Sequence, residues 1–106
     1  MISRSDANQS EIVNLFRAAG ATVDVMSNVG HGFPDIIVNY RGLFAIVEIK
    51  NGRHTLREKQ KEWFANHEGL RFVARDSEDV EKILSRMAKI ADAAETQKEG
   101  DDDHNC

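Results

Sequence analysis

The 106-residue sequence predicts an α/β fold whose elements follow the order α-β-β-β-α-β-α. Apolar residues recur at helical spacing near the beginning and the end of the chain, which indicates two amphipathic helices. Two runs rich in Ile, Val and Phe, at residues 36–40 and 43–49, are separated by Arg41-Gly42, a pattern typical of a β-hairpin. A last apolar run follows a third helical segment, so it should pair in parallel through a right-handed crossover. Together these patterns predict a four-stranded mixed sheet with helices on both faces.

The first helix should begin near Ser5 or Asp6, either of which can act as its N-cap, with Gln9 completing a capping box three residues after Asp6. It should end at Gly20. Its buried stripe is predicted to consist of Ile12, Leu15, Phe16 and Ala19. Glu11 lies at the margin of this stripe. By residue type alone it is a solvated carboxylate on the flank of the helix.

A first strand is expected at residues 21–26, followed by a glycine-flanked loop at 27–33 that leads to Pro34. Glycine allows the backbone to lie close to a ligand, and a proline at the first position of a strand loses no required hydrogen bond. One histidine alone does not form a metal site. His31 in this loop is therefore either an exposed residue or a single contact to substrate or metal.

The hairpin is predicted to bring two carboxylates and a lysine together. If its loop has two residues, counting outward along the strands places Asp35 opposite Glu48, whereas a longer loop would place them diagonally. Lys50 lies two residues beyond Glu48, so strand alternation puts it on the same face. The strands are apolar on both faces, which predicts central strands that are covered on both sides.

Two opposed carboxylates repel each other, so Asp35 and Glu48 should have a partner that offsets the repulsion. Mg²⁺ is such a partner, because it is bound by one or two carboxylates together with water and substrate phosphate. The alternative is a surface ion pair between Lys50 and Glu48.

The second helix is expected at residues 56–67, with a capping box at Thr55–Glu58 and Gly69 after its end. Its inward stripe is predicted to contain Leu56, Trp63, Phe64 and His67. Gln60 lies on this stripe, and its amide either bonds to backbone or reaches the metal end of the hairpin and a substrate phosphate. Arg57 and Lys61 face outward and are either phosphate contacts or part of a solvated helix face.

The last strand is predicted at Leu70–Ala74, and Asp76 or Ser77 should cap the final helix. The apolar stripe of that helix is Val80, Ile83, Leu84, Met87 and Ala91. Residues 1–93 are predicted to form one domain and residues 94–106 an acidic, disordered tail. Residues 101–104 include three aspartates and a histidine, but a solvated tail is expected there in place of a chelating site.

Charge is distributed unevenly along the chain, whose net charge is −4. Residues 94–106 hold five acidic residues and one lysine, so residues 1–93 are neutral. Within residues 50–61, five cations oppose one acid. They are Lys50, Arg53, Arg57, Lys59 and Lys61. Positive charge next to the predicted metal site suits a phosphodiester substrate.

Several classes of protein are disfavoured by composition. No apolar run approaches the roughly 20 residues that cross a bilayer, and the N-terminus lacks the apolar core of a signal peptide. Cys106 is the single cysteine, which argues against an internal disulfide or a multi-cysteine zinc site. We expect a cytoplasmic protein, of a bacterium or a phage-infected host, without membrane contact.

Pro34-Asp35 followed by Glu48-Ile49-Lys50 resembles the PD-(D/E)xK nuclease motif. Gly32 before it and Gln60 after it make the chain similar to a stand-alone virus-type replication-repair nuclease (VRR-NUC) domain, from about residue 11 to residue 84. The resemblance implies a restriction-endonuclease-like core. It also implies Mg²⁺- or Mn²⁺-dependent hydrolysis of DNA phosphodiesters that leaves a 5′-phosphate.

The resemblance also implies roles for individual residues. Asp35, Glu48 and the backbone carbonyl of Ile49 would hold the metal, and Glu11 would join through water or a second ion. Lys50 would orient the attacking water or stabilise the transition state, and Gln60 would complete the site. Lys50, Arg53, Arg57, Lys61 and His31 are the candidate DNA contacts.

Similar stand-alone domains act as homodimers on four-way (Holliday) junctions in DNA repair, which makes branched DNA the expected substrate. Two other classes stay open at this stage. One is a non-catalytic DNA-binding or assembly subunit on the same fold. The other is a flap, generic or RNA-directed phosphodiesterase.

Overall fold

The computed structural model describes the backbone of residues 4–51 and 55–104, and the side chains of residues 7–51 and 55–96. The described residues form three helices and four strands. In chain order these are α1 (Arg4–Ala18), β1 (Thr22–Val25), β2 (Ile36–Tyr40), β3 (Leu43–Ile49), α2 (Glu58–Asn66), β4 (Leu70–Ala74) and α3 (Ser77–His104). The predicted order α-β-β-β-α-β-α is confirmed.

The strands form a single mixed sheet in the order β1-β2-β3-β4. The β1/β2 and β2/β3 pairs are antiparallel, and the β3/β4 pair is parallel. α2 lies in the connection between β3 and β4, as a parallel pair requires. The predicted four-stranded mixed sheet is therefore correct.

The hairpin turn sets the register of β2 and β3. Arg41 and Gly42 both have positive φ angles, 52° and 83°, which is the geometry of a two-residue type I′ turn. Tyr40 consequently pairs with Leu43, and the ladder continues to Ile36 and Val47. This confirms the predicted register.

One face of the sheet carries the hydrophobic core. On that face β2 and β3 bury Ile36, Val38, Ala45 and Val47 against apolar residues of α1 and α3. The residues contributed by the helices include Ile12, Phe16, Val80, Ile83 and Met87. Because burial of each such side chain stabilises the fold by about 1.5–3 kcal/mol, this layer holds the hairpin and both helices together.

The opposite face, which carries Glu48, is covered less completely. α2 lies on it, since Gln60 of α2 bonds to Glu48, and Arg71 of β4 donates to the Phe64 and His67 carbonyls at the end of α2. α2 has no buried residue among those described, and Phe44 on the same face is 68% exposed. The prediction that both faces of β2 and β3 are covered is therefore wrong for this part of the sheet.

Two helix starts differ from the predictions. α1 begins at Arg4, so Ser5 and Asp6 lie within the helix and neither is its N-cap. The predicted capping box at Thr55–Glu58 is also wrong, because α2 begins at Glu58 with Arg57 as N-cap. The side chain of Gln60, three residues after Arg57, accepts the Arg57 N–H at 2.9 Å. The backbone bond that was one of the two roles predicted for Gln60 is thus made to the N-cap residue of α2.

The start of α3 agrees with one of the two predicted caps. The Asp76 carboxylate accepts the Asp79 N–H at 2.9 Å, and the Asp79 carboxylate accepts the Arg75 N–H at 2.8 Å. α3 then continues through residues 94–104, where composition predicted a disordered tail. The division between residues 93 and 94 stays a prediction. None of the described helices combines the length and the apolar character needed to cross a bilayer.

Candidate active site

A cavity of about 630 Å³ lies at the edge of the sheet where β2 begins and β3 ends. Its walls come from Gln9 of α1, the loop at residues 27–33, the end of β3 and the start of α2. Asp35, Glu48, Ile49 and Lys50 all line it. The structure therefore brings together the residues that the hairpin register predicted to converge.

Asp35 is held in place by its neighbours at the start of β2. Its backbone carbonyl accepts the Met26 N–H at 2.7 Å, which extends the pairing of β1 and β2. Its carboxylate Oδ2 accepts the Ile49 N–H at 2.8 Å. In an extended strand the N–H and the C=O of one residue point to the same side, so the Ile49 carbonyl also faces Asp35. The bond between the Asp35 side chain and the Ile49 backbone thus extends the pairing of β2 and β3 beyond their last backbone pair.

Glu48 is a buried carboxylate, with 2% of the residue exposed. Its Oε1 accepts a hydrogen bond from Gln60 Nε2 at 2.6 Å and lies 3.4 Å from Lys50 Nζ. Its Oε2 is buried and has no hydrogen-bond partner among the described residues. Such an atom is costly to bury, and the Asp35 carboxylate beside Glu48 adds repulsion when both acids are ionised.

The pKa of Glu48 is raised from 4.5 to about 7, mainly by burial and also by the nearby Asp35 carboxylate. Lys50 opposes this effect because its ammonium group favours the charged form. Without a bound cation, Glu48 is therefore a mixture of protonated and ionised forms near neutral pH. A divalent cation would favour the ionised form.

The donor set fits a hard divalent cation. Asp35 and Glu48 supply carboxylate oxygens, one of which is the unpartnered Oε2, and Ile49 supplies a carbonyl oxygen on the same side. No cluster of three or more His, Cys, Asp or Glu residues occurs in the described part of the chain. An all-protein cage of the kind that holds structural Zn²⁺ therefore does not fit, whereas Mg²⁺ or Mn²⁺ completed by water and phosphate does.

Both backbone polar groups of Lys50 are hydrogen-bonded. Its N–H donates to the Ala74 carbonyl at 3.0 Å, and its carbonyl accepts from Asn8 Nδ2 at 3.3 Å. The Lys50 side chain is 12% exposed, so the pair with Glu48 is not the exposed surface ion pair of the alternative interpretation. The ammonium group sits beside the carboxylates with little freedom to move into solvent.

Gln60 connects the start of α2 to the carboxylates. It accepts the Arg57 N–H with its carbonyl oxygen and donates to Glu48 with its amide nitrogen. Gln60 therefore both bonds to backbone and reaches Glu48, whereas its predicted contact with a substrate phosphate stays a prediction. This arrangement fixes which oxygen of Glu48 is left for another ligand.

The glycine loop lies directly against α2. A Cβ on Gly32 would lie 2.6 Å from the Lys59 carbonyl oxygen, far inside contact distance, and the φ angle of Gly32 is 82°. Only glycine fits this contact. The loop and the first turn of α2 therefore form one wall of the cavity.

Of the other residues predicted for the site, some line the cavity and some do not. Glu11 is exposed and does not line the cavity, so its role at the metal stays a prediction. His31 and Arg57 line it, whereas Lys61 is exposed and lies 3.6 Å from Glu58. Arg53 lies outside the described residues.

Some residues of the cavity were not singled out from the sequence. Gln9 was considered only as part of a helix cap, and Lys59 only as part of the basic segment, yet both line the cavity. Phe33 lines it too. The clue for Gln9 was its position one and two turns before the core residues Val13 and Phe16.

Searches with models of known protein families, against curated proteins and against solved structures found no match to this chain. The functional interpretation therefore depends on the geometry of the site and on the motif residues.

Proposed function

We propose that this protein is a metal-dependent endodeoxyribonuclease that hydrolyses phosphodiester bonds. The observation that carries the proposal is the buried, unpartnered Oε2 of Glu48, a residue that lines one cavity together with Asp35 and Lys50. Burying an ionisable acid beside a second acid is unfavourable unless a cation joins them. A nuclease site supplies such a cation.

Asp35, Glu48 and the Ile49 carbonyl would hold Mg²⁺ or Mn²⁺. When bound, the ion lowers the pKa of a coordinated water and neutralises charge that develops on the phosphate. The Ile49 N–H and the Gln60 amide hold the two carboxylates in place before any ligand arrives. Such preorganisation removes reorganisation cost from the chemical step.

Lys50 supplies a fixed positive charge. Its ammonium group, 3.4 Å from Glu48, is close enough to the carboxylates to contact a phosphate oxygen or the attacking water. Since charge builds up on the phosphate in the transition state, this contact should be stronger there than in the ground state.

The cavity also suits a nucleic-acid backbone. Arg57, Lys59 and His31 line it beside Lys50, and they are the type of residue that contacts phosphates without reading sequence. We therefore propose recognition of DNA shape, with branched DNA such as four-way junctions as the substrate. A homodimer would present two sites to such a symmetric substrate, and sedimentation of the purified protein tests this.

The decisive experiment combines metal binding with cleavage. Asp35→Ala should abolish the heat of Mn²⁺ binding, and Lys50→Ala should lower cleavage on the order of 100-fold or more while DNA binding persists. A four-way junction, a flap, linear duplex and RNA are incubated side by side with Mg²⁺. Lys82→Ala is the matched control, because Lys82 lies on α3, which packs on the other face of the sheet.

The outcomes separate the remaining classes. Equal Mn²⁺ heats for wild type and Asp35→Ala would indicate a protein that binds DNA through phosphates alone. Cleavage confined to RNA would assign a different substrate. Unchanged turnover in Lys50→Ala would remove Lys50 from the mechanism.

A further inference from the structure

An aromatic ring forms part of the wall of this otherwise polar cavity. Phe33 is 41% exposed and lines the cavity two residues before Asp35. A single exposed phenylalanine on a protein surface is ordinary. A phenylalanine beside two carboxylates and several cations needs a more specific explanation.

The backbone at Phe33 is fixed on both sides. The Phe33 N–H donates to the Gly30 carbonyl at 3.0 Å, and the preceding Gly32 lies against the Lys59 carbonyl. The following Pro34 is fully buried. The ring is therefore presented from a rigid position.

The Phe33 ring is supported from one side by α2. Its centroid lies 5.5 Å from that of Trp63 at an interplanar angle of 50°. Trp63 in turn stacks on His67, with centroids 3.6 Å apart and planes 11° apart. Phe33 thus contacts Trp63 of α2, keeps 41% of its surface exposed and lines the cavity.

Cations lie on the same wall. Lys59 and Arg57 at the start of α2 line the cavity with Phe33, and Lys50 lines it from β3. Exposed aromatic rings next to cations are the arrangement by which proteins hold single-stranded nucleic acid, with bases stacked on the rings and phosphates on the cations. In an intact duplex both faces of an internal base are covered by its neighbours, so such a ring has nothing to stack on.

We infer that Phe33 stacks on an unpaired nucleobase next to the phosphate that is to be cleaved at the metal held by Asp35 and Glu48, and thereby selects DNA with an unstacked base at a branch point or flap. The inference rests on the proposed nuclease function. To that function the inference adds the part of the substrate that is recognised, an unstacked base, and the residue that recognises it, Phe33.

The test measures binding with Ca²⁺ in place of Mg²⁺, so that the DNA stays intact. 2-Aminopurine is placed either at the branch point or within a duplex arm of a junction, and its fluorescence reports loss or gain of stacking. Wild type should change the signal at the branch point only. Phe33→Leu should abolish that change and weaken junction binding between about 5-fold and about 150-fold, the range that stacking of one base contributes. Its binding to linear duplex should stay within about twofold.

Two controls keep the result specific. Phe44→Leu removes a more exposed ring that is not part of the cavity wall, and it should leave every signal unchanged. Because Phe33 also contacts Trp63, Phe33→Leu is checked by thermal unfolding and Mn²⁺ binding. Phe33→Trp restores a stacking surface and should recover the branch-point signal.

Failure of the inference and failure of the function are distinguishable. If Phe33→Leu matches wild type, or loses affinity for duplex and junction equally, or if Phe33→Trp does not recover the signal, the stacking role is overturned while cleavage is untouched. If wild type cleaves no substrate with Mg²⁺ or Mn²⁺, the nuclease function is overturned, and the fluorescence response still decides whether Phe33 stacks on a base.

Discussion

At the scale of single residues, the proposed metal binding depends on the surroundings of the Glu48 carboxylate. One oxygen is held by Gln60 and Lys50, and the other has no partner within the described part of the chain. Asp35, which is only half-buried, is held by a backbone N–H. The two acids are therefore not equivalent. Glu48 carries the larger desolvation cost and so gains more from a cation.

This asymmetry predicts how stability depends on pH without metal. Because the pKa of Glu48 is raised from 4.5 to about 7 in the fold, the native state binds more protons than the unfolded state between these values. The contribution of Glu48 is fully present below pH 4.5 and is lost as pH rises through about 7. The loss in the free energy of unfolding should reach about 3 kcal/mol.

Urea unfolding in the presence of a chelator measures this loss, and Glu48→Gln is the control because other carboxylates also titrate. The difference between wild type and variant should fall from about pH 4.5 to about pH 8. Added Mn²⁺ should restore stability to wild type, more strongly above the pKa than below it. Parallel pH profiles for the two proteins would show that Glu48 ionises without penalty.

At the scale of elements, the cavity is formed where the glycine loop meets the first turn of α2. Gly32 and Gly30 both have positive φ angles, 82° and 74°, but of the two only Gly32 has no room for a Cβ, because α2 lies against it. The contact with Gly32 restrains the backbone at Lys59 and Gln60, and the Gln60 side chain in turn donates a hydrogen bond to Glu48. The loop therefore acts on the proposed metal site through the helix.

Gly32→Ala should consequently disturb the site as well as the fold. The added Cβ meets backbone atoms of Lys59 at 2.6 and 2.9 Å, so the first turn of α2 must shift. We expect a loss of about 2–3 kcal/mol in stability and a weaker Mn²⁺ affinity. Gly30→Ala has the same unfavourable φ but open space around its Cβ, and it should lose only about 1–2 kcal/mol with Mn²⁺ affinity retained. Thermal unfolding and calorimetry compare the two variants. Equal Mn²⁺ affinities would show that the contact between Gly32 and α2 does not influence metal binding.

At the scale of the whole molecule, the sequence predicted the features that neighbouring residues determine, such as the hairpin register. It did not predict the features that depend on how distant elements pack. Strand alternation and a two-residue turn were enough to place Asp35 beside Glu48, because the register of a hairpin is fixed by its loop. The start of α2 was not predictable in the same way. Thr55 and Glu58 match a capping box by type, but Gln60 takes the capping role because it is held at Glu48, far away in sequence. The incomplete cover over Phe44 likewise depends on where α2 docks.

The distribution of charge over the molecule predicts how the proposed binding to DNA depends on salt. The chain carries a net charge of −4, so long-range attraction to DNA is weak and affinity must come from the cations of the cavity. Each phosphate neutralised contributes about −0.9 to the slope of log affinity against log salt on duplex DNA. Arg57→Ala and Lys59→Ala should each reduce the steepness of that slope by about 1, whereas Lys82→Ala, on the other side of the sheet, should leave it unchanged. Fluorescence anisotropy between 50 and 200 mM salt, about the range in which such slopes are resolved, measures all three. A slope that responds equally to Lys82 would mean that DNA lies across α3, and the cavity would then not be where the backbone binds.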